Sequence, residues 1–253
     1  MFYLYYGNPS CINQEYPEKT WDSGYEAVWH MNDVTSVLVP DSTSNEYTGT
    51  KRAPNEPQEI SGKIGAGQEF DGTNDNIWIN GHSVLGTGDK TISIWMKIDA
   101  NNDFQTILTN ALGGSYKNEG LEMAVDYGMN MTVSIGNGDS TNAYLIIFKK
   151  PIPDYTTYHF YTARQSGANL SLYLDGNLYG WTTTTTGLES LPSHNMSIGR
   201  SHQNSPYFYW FDGRLDEIRM SSIARSSSWI QTEYYNQNSP STFLTFGPEE
   251  SEP

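Results

Sequence analysis

Thr91-Ile-Ser-Ile-Trp-Met-Lys-Ile-Asp99 alternates without a break. In an extended chain Ile92, Ile94, Met96 and Ile98 fall on one face, with Ser93, Trp95 and Lys97 on the other, which is the period of two of a strand inside a sheet. Outward from it, strand-like stretches recur between Gly, Asn, Asp and Pro punctuation. Toward the N-terminus these are Phe2–Tyr6, Glu26–Met31, Ile64–Phe70 and Ile77–Asn80, with a polar loop from Asp33 to about Gln58. Asp71-Gly72-Thr-Asn74-Asp75 reads as a turn joining two of them as a hairpin, with Asp71 bonding its own backbone and Gly72 supplying a positive φ. Toward the C-terminus come Phe104–Thr109, Leu121–Asp126, Met131–Ile135, Tyr144–Phe148 and Tyr158–Arg164. Asn169–Asp175 and Leu178–Trp181 form a hairpin around Asp175-Gly176. Asn195–Gly199, Tyr209–Phe211, Leu215–Met220 and Phe243–Phe246 complete the series. One helix is expected, Ser226–Tyr235, with Ser at its start to cap free N–H groups. About fourteen strands without strand–helix alternation predict an all-β fold, two packed antiparallel sheets with one short C-terminal helix.

The composition agrees. The 253 residues are 13% aromatic and only 17% charged, with 23 Gly and 12 Pro, a balance that favours strands and tight turns over helices or disorder. The net charge of −15, from 29 acidic against 14 basic residues, repels polyanions, and no Lys/Arg cluster offsets it, so nucleic acid is excluded as a partner. No apolar run reaches the ~20 residues of a membrane span, and no membrane insertion is expected. Cys11 is the only cysteine, which excludes an internal disulfide and a cysteine-based zinc site. Residues 1–20 read as a strand and linker, 21–247 as the main domain and 248–253 as a linker, in an isolated domain expected to be monomeric.

Seven short motifs stand in order. They are Trp21-Asp22-Ser-Gly-Tyr25-Glu-Ala-Val-Trp29-His30-Met31, Asp41-Ser-Thr-Ser-Asn45 before Thr48-Gly49-Thr50, Gly62-Lys-Ile-Gly65, Phe70-Asp71-Gly72-Thr-Asn74-Asp75, Thr91-Ile-Ser-Ile-Trp95, Leu172-Tyr-Leu-Asp175-Gly176 and Phe211-Asp-Gly-Arg-Leu-Asp216-Glu217-Ile-Arg219. Together they resemble the LamG-like jelly-roll domain of the concanavalin A-like lectin/glucanase superfamily. Tyr5-Tyr6-Gly7-Asn8-Pro9 resembles the tail of a DUF2341 domain, which would place residues 1–20 at the end of a preceding domain. The resemblance implies a two-sheet jelly roll, an extracellular or cell-surface setting in a larger prokaryotic protein and a structural Ca²⁺.

Calcium takes six to eight oxygen ligands. Similar domains bring an N-terminal loop and the last strand together around a cation, which nominates Asp41, Asn45, Gly49 and Asp216; the alternative is that Asp41 caps a turn and Asp216 pairs with an Arg. Sugar binding needs aromatic faces beside amides and carboxylates. The run Ser201-His202-Gln203-Asn204-Ser-Pro-Tyr207-Phe208-Tyr209-Trp210 has them, so Asn204, Tyr207 and Tyr209 are expected to bind ligand, together with Tyr116 of the Gly113–Gly120 loop. Alternate members such as Phe208 and Trp210 can instead face the core.

Catalysis finds little support. Glycoside hydrolysis needs two carboxyls ~5–9.5 Å apart, and sister glucanases carry an E-x-D-x-x-E or E-x-D-x-E string that is absent here. Glu122 and Asp126 share a face but stand ~13 Å apart at strand rise, as solvent-face residues. The five histidines lack H-x-x-x-H spacing, and no serine sits in a G-x-S-x-G elbow. The expectation is a non-enzymatic recognition or adhesion module with a glycan or surface-protein ligand. A ligand-free structural spacer and a jelly-roll glycoside hydrolase are the alternatives.

Overall fold

The computed structural model describes residues 10, 12, 16–33, 37–52, 56–80, 88–99, 103–110, 119–137, 146–183, 195–201, 209–244 and 247. In chain order its elements are α1 (Pro17–Thr20), β1 (Tyr25–Trp29), β2 (Leu38–Val39), β3 (Gly49–Lys51), β4 (Gln58–Ser61), β5 (Ala66–Asp71), β6 (Ile77–Ile79), β7 (Lys90–Ile98) and β8 (Gln105–Thr109). Then follow β9 (Glu119–Val125), β10 (Asn130–Asn137), β11 (Ile146–Pro151), β12 (His159–Ser166), β13 (Asn169–Leu174), β14 (Asn177–Thr183), β15 (Met196–Ile198), β16 (Asp212–Ser221), α2 (Ser227–Asn238) and α3 (Pro240–Phe243).

The strands form two antiparallel eight-stranded sheets. The first runs β14-β13-β12-β7-β16-β5-β4, with β1 also pairing β16; the second runs β11-β10-β9-β8-β15-β6-β3-β2. Alternation decides what each strand contributes. Ile92, Ile94, Met96 and Ile98 of β7 enter the core between the sheets, where they meet Ile77, Ile79, Leu121, Met123, Met131, Val133, Met196 and Ile198 of the second sheet. Burying side chains of this size is worth about 1.5–3 kcal/mol each.

The opposite face of β7 is buried as well, because α2 lies on it. Ser226 caps the helix, its Oγ accepting the Trp229 N–H at 3.1 Å. Tyr234 packs on Trp95 and Phe160 at ring distances of 5.7 and 6.2 Å. The Trp95 Nε1–H donates to Gln237 Oε1 at 2.6 Å, and Ser93 Oγ donates to Glu233. A chain of polar contacts runs through the same layer, His30 hydrogen-bonded to Glu217, Glu217 paired with Arg219 and Arg219 with Glu233. Asp175 (φ 49) and Gly176 (φ 76) make the tight β13–β14 hairpin expected of an Asp-Gly turn.

Several expectations are corrected. Asp71–Asp75 does form its turn, with the Thr73 and Asn74 N–H groups bonding Asp71 Oδ1 and Gly72 at φ +70. It is a corner between the sheets, however, since β5 belongs to the first and β6 to the second. The polar loop Asp33–Gln58 contains β2 and β3, too short for alternation to register. Tyr209–Phe211 is not a strand but the approach to β16. At Phe243 the chain is helical, because Pro240 suits a first helical turn and Ser239 O accepts the Thr242 and Phe243 N–H groups. Phe2–Tyr6 lies outside the described residues.

Candidate functional site

The second sheet has an outer face of unusual make-up. Its strands read apolar–X–apolar: Ile77-Trp78-Ile79, Met196-Ser197-Ile198, Leu121-Glu122-Met123-Ala124-Val125 and Met131-Thr132-Val133-Ser134-Ile135. The flanking residues enter the core, so the middle ones point away from it. Registers then align them. Ser134 pairs with Glu122, Glu122 with Thr109, Thr109 with Ser197, Ser197 with Trp78 and Trp78 with Thr50. At about 4.8 Å per strand this row crosses roughly 24 Å of the sheet.

The row is polar yet buried. Ser134, Glu122, Thr109, Ser197 and Trp78 are each at most 7% exposed. Thr109 Oγ1 is satisfied by the Leu121 carbonyl, and Thr132 Oγ1 by that of Ala124. Among the described residues Ser197 Oγ has no hydrogen-bond partner; neither has Nδ2 of the adjoining Asn110, whose Oδ1 accepts the Leu121 N–H. Burial pushes the Glu122 carboxyl up to about 7, against the pull of the Thr106 hydroxyl that donates to it at 3.4 Å. At the far end, Trp78 has the guanidinium carbons of Arg52 and Arg200 at 5.4 and 5.5 Å from its ring, and Arg200 lies 4.8 Å from the Trp210 ring.

Glu122 is therefore not a solvent-face residue, and neither is Asp126. Asp126 follows β9, where its Oδ1 takes the Gly128 and Asn130 N–H groups and its Oδ2 binds Lys149 at 2.8 Å. Burial would raise this carboxyl, but the bonds from Lys149, Asn130 and Gly128 hold it down at about 2.

The residues nominated for calcium are distributed over separate tasks. Asp41 Oδ1 accepts the Val28 and Thr43 N–H groups, and Oδ2 accepts the Thr43 hydroxyl and the Tyr47 N–H. These four donors fasten the 41–47 loop to β1. Asn45 donates from Nδ2 to the Glu26 carbonyl at 2.9 Å. Gly49 pairs in β3, where a Cβ would press on Ile77 and Val39. Asp216 is fully buried in β16, its Oδ2 accepting the Ile64 N–H at 2.8 Å and its Oδ1 unpartnered; burial pushes it up to about 7. Ile218 pairs with Trp29, which bridges to Asp41, so about two strand spacings lie between the Asp41 loop and β16. Among the described residues no three His, Cys, Asp or Glu side chains gather as metal ligands would.

Of the ligand-binding nominees, Tyr209 packs on Phe104 with tilted rings 4.7 Å apart, and its carbonyl accepts the Thr106 N–H of β8. Tyr116, Asn204 and Tyr207 lie outside the described residues.

Residues 71–231, more than half of the chain, match the Laminin_G_3 family profile of the concanavalin A-like lectin/glucanases superfamily. The chain belongs to that superfamily. Among solved structures it is similar to domain 4 of AbnA, a GH43 extracellular arabinanase from Geobacillus stearothermophilus in complex with arabinotriose. That likeness has 17% identity and a TM-score of 0.63, over 82% of this chain and 96% of that one. It is also similar to the binding domain of Paraclostridial Mosquitocidal Protein 1 (14% identity, TM-score 0.64, 84% of this chain and 52% of that one). The receptor binding domain of botulinum neurotoxin D matches likewise (14% identity, TM-score 0.62, 85% and 53%). The chain thus spans about half the length of these toxin domains, and at such identities the likeness is one of fold. No curated protein sequence matches this one.

In this superfamily member a second polar feature lies at the sheet-to-sheet corner. Glu56, Gln58, Glu69, Phe70, Asp71, Asn74, Asp75, Asp99 and Asp212 line a cavity of about 380 Å³. Glu69 is bound by Arg214 at 2.8 Å. Burial raises the Asp75 carboxyl, even though it accepts the Asp71 N–H, and the Asp71 charge adds to the rise.

Proposed function

We propose that this chain is a non-catalytic carbohydrate-recognition module of a larger secreted or cell-surface protein, and that the outer face of its second sheet binds the sugar. The observation that carries the reading is the transverse row Ser134–Glu122–Thr109–Ser197–Trp78, whose hydroxyl at Ser197 and neighbouring amide at Asn110 are buried without partners among the described residues. An unpaired buried polar group costs about 1–3 kcal/mol. Sugar hydroxyls, which both donate and accept, would satisfy such groups on binding, while the half-buried indole of Trp210, beside Arg200 at the end of the row, offers an apolar face to a pyranose or furanose ring. The DUF2341-like residues 5–9 fit the surface-protein setting, and a structural Ca²⁺ belongs to the same reading.

The row holds one carboxyl, Glu122, where glycoside hydrolysis needs two. Asp126 cannot serve as the second, because Lys149, Asn130 and Gly128 occupy its oxygens. Recognition without turnover is what this arrangement can perform.

The arabinanase domain was seen with arabinotriose, so arabino-oligosaccharides head the panel to be tested by calorimetric titration, followed by xylo-, gluco-, galacto- and manno-oligosaccharides. The informative variant is Ser197→Ala. It removes an unpaired hydroxyl, so the melting temperature should hold or rise while affinity for the bound sugar falls fivefold or more. A purely structural serine would not separate the two readouts. A panel with no binder would leave the domain a spacer, and a Ser197→Ala variant that binds like the parent would move the site elsewhere.

A further inference from the structure

Arg52 and Arg200 reach the same indole from different strands. In β3 alternation sends Thr50 outward and Lys51 inward, where Lys51 pairs with Asp33 at 2.6 Å. Arg52 continues the ladder, donating its N–H to the Asn76 carbonyl at 3.3 Å, and turns out again toward Trp78. Arg200 follows β15 through Gly199, at φ +86, where a Cβ would overlap the Phe70 ring. That turn carries Arg200 back over the outer face, between Trp78 and Trp210.

Two guanidinium groups beside one ring are unexpected in a chain of net charge −15. Arg214, Arg219 and Arg225 are each bound to carboxylates, of Glu69, of Glu217 and Glu233, and of Asp22. Arg52 differs. It is exposed and, among the described residues, carries no ion pair, its contact being the Trp78 ring. Burial lowers the proton affinity of Arg200, and the positive charge of Arg52 lowers it further, so the two cations feel each other. Ser197 Oγ, the unpartnered hydroxyl, is one strand away from Trp78.

We propose that Arg52 and Arg200, with Trp78 between them, form a subsite for an anionic sugar, one carrying a carboxylate or a sulfate, at the Trp78 end of the row. The inference rests on the recognition reading and names its ligand class. An anion there relieves the repulsion between the two guanidinium groups: exposed Arg52 presents a planar N–H fork matched to carboxylate and sulfate oxygens, while buried Arg200, whose Nε–H donates to the Ser201 carbonyl at 3.0 Å, contributes its charge. The half-buried indole of Trp210 borders the sugar ring, the buried Trp78 indole backs the two guanidinium groups, and Ser197 Oγ supplies a hydroxyl partner.

The test is calorimetric titration of the whole chain at 20 and 200 mM NaCl with three oligosaccharides of matched length: a neutral galactan fragment, an oligogalacturonate and a sulfated galactan fragment that carries no carboxylate. At least one anionic probe should bind tenfold or more tighter than the neutral one at 20 mM NaCl, with the preference shrinking at 200 mM as salt screens it. Arg52→Ala, at an exposed position, should leave the melting temperature within about 2 °C and bring the anionic-to-neutral affinity ratio to near one. Which anionic probe binds tells carboxylate from sulfate. Neutral binding as tight as anionic overturns the subsite while leaving sugar recognition intact, as does an anionic preference that survives Arg52→Ala. Failure of all three probes together with the neutral panel above removes the recognition reading itself.

Discussion

Glu122 couples position to pH. Its carboxyl titrates near 4.5 in an unfolded chain, and burial raises it to about 7 in the fold. Between those values the native state holds a proton that the unfolded state has lost, so stability falls as pH rises from about 4.5 through 7 and is level beyond. At 1.36 kcal/mol per factor of ten the loss is on the order of 3 kcal/mol. Glu122→Gln keeps an oxygen for the Thr106 hydroxyl and removes the titration. Urea denaturation at pH 5 and pH 8 should therefore show the parent losing more stability than the variant between the two values; equal losses would mean the carboxyl is not desolvated. In the sequence Glu122 reads as one polar residue among apolar ones, Leu121-Glu-Met123, which tells that it points away from the core. That it is buried nonetheless depends on what surrounds it, and no local pattern encodes that. Ser197 and Trp78 were hidden in the same way, inside three-residue strands. Asp41 reads in the sequence as a calcium ligand or a turn cap; its four hydrogen-bond donors come from Val28, Thr43 and Tyr47, contacts that only the folded loop reveals.

Long strands announced themselves and short ones did not. The alternation of β7 and the Asp175-Gly176 turn follow from nearest-neighbour chemistry and are read directly from residue order. By contrast, β2 and β3 have two and three residues and owe their pairing to partners far away in sequence. The Asp71–Asp75 turn illustrates the limit: its local geometry was legible, but the sheet to which the next strand belongs was not, since β6 pairs with β3 and β15 rather than with β5. The β13–β14 hairpin and α2 also constrain each other. Gly176, at φ +76, lies so close to the helix that a Cβ would stand 3.1 Å from Tyr234 Cβ and 3.2 Å from Gln231 Cα. Gly176→Ala therefore pays twice, in left-handed backbone strain of about 1–2 kcal/mol and in displacement of α2 from Trp95 and Phe160. Thermal denaturation should show a clear loss of stability, accompanied by a red shift in tryptophan emission as Trp95 gains water. A loss of stability with unchanged emission would show that the helix does not yield.

Charge acts over the whole molecule. With 29 acidic and 14 basic residues the chain repels itself, and Glu56, Asp71, Asp75, Asp99 and Asp212 line one cavity together with Glu69, which Arg214 pairs. Folding assembles these charges and unfolding disperses them, so screening should favour the native state. Raising NaCl from 20 to 200 mM at pH 7 shortens the Debye length from roughly 20 Å to below 10 Å and is expected to raise the melting temperature. Asp99→Asn, at an exposed position on the cavity rim, should raise it at 20 mM and do little at 200 mM, because neutralisation and screening relieve the same repulsion. Calcium chloride at matched ionic strength extends the experiment. A rise equal to that in NaCl is screening alone, whereas a larger rise that EDTA reverses is the mass-action signature a bound structural cation requires. Asp41→Asn then locates such an ion: the calcium increment must vanish if the 41–47 loop holds it, and must persist if its carboxylate only receives the four protein donors seen here.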